Sequence, residues 1–73
     1  MSASARPLPE LLADLRRASA HLREAERSCL HTLLRVDLSP TRRAGVALRK
    51  DAVSRHADAV DEAARLLAAG ERA

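Results

Sequence analysis

The hydrophobic positions of this chain recur every seven residues in two long segments separated by one break. In the first segment Leu8, Leu15, Leu22, Cys29 and Val36 are spaced by seven, and Leu11, Ala18, Ala25 and Thr32 fill the companion positions. In the second, Val46, Val53, Val60 and Leu67 keep the same period. Ala57 and Ala64 follow two of these valines by four residues, and Ala52, Ala59, Ala63 and Leu66 widen the stripe. A seven-residue apolar repeat marks helices that pack along one seam in a left-handed coil. The pattern therefore predicts two amphipathic helices.

The break, Val36-Asp37-Leu38-Ser39-Pro40-Thr41, holds the one proline in the interior of the chain. Ser39 can accept a hydrogen bond from the free N–H groups of a new helix, and Pro40, with no N–H to leave unsatisfied, suits its first position. Pro9 and Glu10 suit the start of the first helix in the same way, Glu10 lying near the positive end of the helix dipole. The expected layout is a flexible stretch over 1–7, helix one over about 9–36, a bend over about 37–40 and helix two over about 40–69, with Gly70 as a left-handed stop. So short a connection makes the helices antiparallel neighbours. With the bend centred near Ser39, residue i lies beside residue 78 − i, which places Leu15 by Ala63, Leu22 by His56 and Leu30 by Leu48. The fold class is all-α, a single antiparallel two-helix hairpin spanning 1–73.

Composition changes this picture in one respect. The chain has 73 residues, 12 of them Leu and four Val, and no aromatic residue. Two helices shield only one side of each other, and so small a core supports few free-standing folds. A homodimer in the form of an antiparallel four-helix bundle is the expected remedy, with Leu15, Leu22, Cys29, Val53, Val60 and Leu67 in the dimer core. A hairpin completed by a different protein is the alternative.

The longest apolar runs, Leu11-Leu12-Ala13 and Leu66-Leu67-Ala68-Ala69, are far shorter than the roughly 20 residues of a membrane span. The first ten residues lack a secretory pattern, and the lone Cys29 cannot close an internal disulfide, so the cytoplasm is the expected compartment. Thirteen basic residues face ten acidic ones, and 12 of the 13 are Arg. With 16 Ala, that bias reads as the codon usage of a GC-rich bacterial genome. Residues 1–36 carry six basic and four acidic groups and residues 37–73 carry seven and six, so neither half is a polybasic arm. Asp51, Arg55, Asp58, Asp61, Glu62 and Arg65 are expected to form a solvated face with Asp51–Arg55 and Asp61–Arg65 ion pairs.

The sequence has no Gly-rich phosphate loop, Gly-x-Ser-x-Gly, paired Cys or His-Glu-x-x-His, so neither enzymatic activity nor a cofactor is expected. His21 and His56 lie near their helix midpoints and could gather four imidazoles in a dimer, as a Zn²⁺ site or a pH switch. Ordinary boundary histidines are the expectation, and no metal site is favoured. Cys29 reads as a small core residue.

Apolar residues in the wrong place give the more specific signal. Leu30 and Leu34 point off the seam of helix one, Leu38 lies in the bend, and Leu48 falls off the stripe of helix two. Ringed by Arg35, Arg42, Arg43, Arg49 and Lys50, they would form an apolar patch with a charged rim, which is how binding surfaces look. A rotation of helix one near Cys29 would instead make these leucines core. The expected partner, besides a second copy, is a protein with an acidic border around an apolar surface, such as an amphipathic helix. The expected role is a small adaptor, regulator or assembly subunit. A competing reading places nucleic acid on an outer stripe of Arg16, Arg23 and Arg27. The interleaved Glu24, Asp51 and Asp58, the missing aromatics and helices too long for a helix-turn-helix count against it. No small-molecule substrate is evident.

Overall fold

In the computed structural model, which describes residues 7–72, two helices pack against each other: α1 (Leu8–Leu33) and α2 (Pro40–Arg72). The segment expected to be flexible falls, except for Pro7, outside the described residues. None of the helices described is long and apolar enough to cross a membrane.

Local chemistry sets the boundaries. Pro7 is extended (φ −58°, ψ 143°), and its carbonyl accepts from the N–H groups of Glu10 and Leu11 at 3.0 and 3.2 Å, starting α1 one residue before Pro9. Ser39 caps α2 as expected: its Oγ accepts from the Arg42 N–H at 3.2 Å and its carbonyl from the Arg43 N–H at 2.8 Å, with Pro40 first in the helix.

Two boundaries depart from expectation. α1 stops at Leu33 rather than near Val36. The Leu34 and Arg35 N–H groups turn back to the carbonyls of His31 and Thr32 at 3.2 and 3.1 Å, the tightened last turn that ends a helix. Reversal into Pro40 needs residues 34–39, so Val36 leaves the seam and is 99% exposed. At the other end α2 runs through Gly70 to Arg72, and no described glycine has a positive φ. Glycine permits a left-handed stop without imposing one. Here Glu71 and Arg72 follow, with neither the apolar residue nor the proline that usually secures such a stop.

Ser19 donates to Asp61 and Ser54 donates to Glu26, so touching side chains obey 80 − i rather than 78 − i. Each side chain leans toward the N-terminus of its own helix, and in an antiparallel pair the two leans are opposed. Residues that meet are therefore offset along the axis from residues that lie level.

Among the described residues only Leu12, Cys29 and Ala57 are buried, Ala57 completely (0% exposed). Leu12 is not on the heptad row. A seven-residue row drifts about 20° per repeat on a straight helix, so by the open end another residue faces the partner. Leu66 and Ala59, expected to widen the stripe, are exposed instead. Leu66 lies nine residues from Ala57, two and a half turns at 3.6 residues per turn, which puts it on the opposite side of α2. Leu48 lies nine residues before Ala57 and faces outward for the same reason.

The two flanks of the hairpin differ. One carries a polar ladder: Ser19 to Asp61, Arg23 to both Asp58 and Asp61 at 2.8 Å and to Glu26 at 3.3 Å, and Ser54 to Glu26. Each of Ser19, Arg23, Glu26, Ser54 and Asp61 directly follows an apolar residue, namely Ala18, Leu22, Ala25, Val53 and Val60. One residue is 100° of arc, so when the polar members lean to one flank their predecessors lean to the other. That second flank, continued by Leu11, Val46 and Leu67, is apolar and half-buried.

The hairpin is long and thin. Its radius of gyration is 16.6 Å, against about 11 Å for a compact domain of this length. Its accessible surface is 5585 Å², about 1200 Å² more than the roughly 4400 Å² of a compact monomer of 7.9 kDa.

Candidate functional site at the bend

Of the large apolar residues exposed among those described, Leu30, Leu34, Val36 and Leu48 lie toward the bend end and Leu66 toward the open end. Leu34 is 79% exposed and Leu48 71%, Leu30 and Val36 are exposed as well, and Leu48 stands on the outer side of α2. Leu38, within the connection, is half-buried. Val36, read from the sequence as part of the seam, thus joins the surface patch. Its heptad spacing hid it, because spacing alone does not reveal that the helix has already ended.

The basic residues assigned to the rim divide into two groups. Arg43 faces inward: its guanidinium donates to the Leu33 carbonyl at 2.5 Å and to the Arg35 carbonyl at 2.7 Å. A cation there satisfies carbonyls that the end of α1 leaves open and complements the negative pole of the helix. Arg35 is held by Asp37 through Nε at 3.1 Å and Nη2 at 2.9 Å, and this fork keeps the Asp37 carboxyl below its ordinary range. Lys50 lies 3.3 Å from Asp51. Arg42 and Arg49 are exposed and, with Gly45 and Val46, line a shallow hollow of about 290 Å³ on α2. Gly45 leaves it open, since a Cβ there would meet nothing within 4 Å.

Folding also sorts charge. Residues 30–50 contain Arg35, Arg42, Arg43, Arg49 and Lys50 against Asp37 alone, a net +4, so the remainder of a chain of net +3 carries −1. The two sequence halves look alike because the hairpin folds each back on the other, and the asymmetry runs along its long axis.

The other candidate residues lie elsewhere. Of those assigned to a dimer core, Cys29 is buried and Leu15, Leu22, Val53, Val60 and Leu67 are half-buried. His21 and His56 are exposed, and His56 Nδ1–H donates to its own helix at the Ala52 carbonyl, 2.9 Å away. Among the described residues no group of three or more His, Cys, Asp or Glu is arranged to hold a metal ion. Of the basic stripe on α1, Arg23 is turned to Asp58, Asp61 and Glu26, and Arg27 pairs with Glu24. Asp61 turns to Arg23 rather than Arg65, and Arg65 pairs with Glu62. Sequence reasoning missed this ladder by treating the carboxylates of α2 as a solvated face, although acid and base at mirrored positions were there to be read. The Ser19 hydroxyl and then Arg23 hold the Asp61 carboxyl below its usual range, and the Ser54 hydroxyl and then Arg23 do the same for Glu26. Comparison of the chain with known protein families, with characterised proteins and with solved structures finds no match.

Proposed function

We propose that this protein acts by association rather than catalysis, as a small cytoplasmic adaptor, regulator or assembly subunit of a bacterium. Two hairpins pair into a four-helix bundle, and the bend end of each receives a segment of another protein. The observation that carries this reading is the exposure of Leu34, Val36 and Leu48 at one end, inside a region of net +4. Large aliphatic chains in contact with water favour an apolar partner, and the surrounding cations select one with acidic borders, such as an amphipathic helix.

The test is the double substitution Leu34→Glu with Leu48→Glu. Both side chains are exposed, so helicity and melting should not change. A protein captured by the wild type from source cells, identified and then titrated in purified form, should bind the variant at least about tenfold more weakly. Equal binding would overturn the reading, as would unfolding of the variant or a wild type that captures nothing.

A further inference from the structure

We propose that a second copy of this chain covers the apolar flank, packed so that the basic bend end of each hairpin lies alongside the open end of the other. This rests on the association reading above and gives it a face and a direction.

The face follows from the alternation at the helix contact. Ser19, Arg23, Glu26, Ser54 and Asp61 bond one another across one flank and have little left to offer a neighbour. On the other flank Leu22, Val53, Val60 and Leu67 stay half-buried, with Ala18 and Ala25 letting a neighbouring backbone come close.

The direction follows from charge. A two-fold axis parallel to the helices would set the two bends side by side and bring regions of net +4 together. An axis across the helices sets each bend against the remainder of the partner, which carries −1. In that arrangement α1 lies on α1 and α2 on α2, all neighbours are antiparallel, and the two leucine patches end up at opposite ends.

Spin labels separate these cases. With Cys29 replaced by Ala, a single label at Val36→Cys sits on a fully exposed site and leaves the flank untouched. Dipolar spectroscopy should give one distance near 40 Å, the length of a 26-residue helix at about 1.5 Å per residue. A distance below about 25 Å would overturn the direction while leaving the dimer standing. No dipolar signal, with a one-chain mass by sedimentation in the same sample, would overturn the dimer, whereas capture of another protein at the bend is decided separately by the Leu34→Glu with Leu48→Glu variant. For the face, Val60→Arg should halve the mass and Leu66→Arg should leave it unchanged; the reverse result would overturn the assignment of the flank.

Discussion

The Arg43 guanidinium reaches back ten residues to donate to the Leu33 carbonyl, locking the first turn of α2 onto the last turn of α1. Arg43→Ala leaves the Leu33 and Arg35 carbonyls without this donor and should lower stability by about 1–2 kcal/mol. Arg43→Lys should recover part of the loss, because an ammonium serves fewer acceptors than the guanidinium fork. Urea denaturation at one fixed protein concentration reads both.

Ala57 has no exposed surface, so α2 comes close to α1 there and leaves no room for a longer side chain. Ala57→Leu should cost about 1–3 kcal/mol by forcing the helices apart. Leu12→Ala, at the buried leucine near the open end, should cost at least ~2 kcal/mol. The same substitution at Leu66, which is 60% exposed, should change the denaturation midpoint little.

The polar ladder gives the fold an acid-sensitive flank. Asp61 and Glu26 both have lowered pKa values in the folded chain, through Ser19 and Ser54 first and Arg23 second. Their contribution to stability is therefore complete above the unfolded carboxylate pKa of about 4 and is lost as pH falls through the folded values. The melting temperature of the wild type should drop on acidification below about pH 4, and Asp61→Asn with Glu26→Gln should flatten that drop. An unchanged acid limb in the double variant would mean the ladder contributes nothing. Raised salt should weaken the ladder, since its members are exposed or only half-buried.

Gly70 tests the end of α2 by the sign of one substitution. It lies within the helix without a positive φ, and a Cβ there would meet nothing within 4 Å. Gly70→Ala should therefore stabilise slightly, by a few tenths of a kcal/mol and at most about 1. A left-handed stop would give the opposite sign. Thermal melts followed by circular dichroism distinguish the two.

The elements whose cause is local were legible in the sequence. Ser39 and Pro40 announce the start of α2 because a side-chain cap and a missing N–H act within one turn. Leu48 could be read as outward from its offset against the valine row, and its exposure follows from the same geometry. What depends on the other helix was hidden. Arg43 looked like one more rim cation, since nothing near it in sequence reveals the carbonyls it serves. The partners of Arg23 lie 35 and 38 residues away, and only the register of the hairpin connects them. Val36 shows the opposite failure, a periodic position that continued on paper after the helix had ended.

The order of the cross-helix bonds also shapes how the chain assembles. Sequence separation grows steadily from the bend outward, from 10 residues between Leu33 and Arg43 to 28 between Glu26 and Ser54 and 42 between Ser19 and Asp61. Once the first rung closes, each later one adds only a short increment of slack, so the molecule behaves as a zipper whose slider starts at the bend. Trimming the open end should thus erode it tooth by tooth, whereas loosening the first rung withdraws the starting point for all the others.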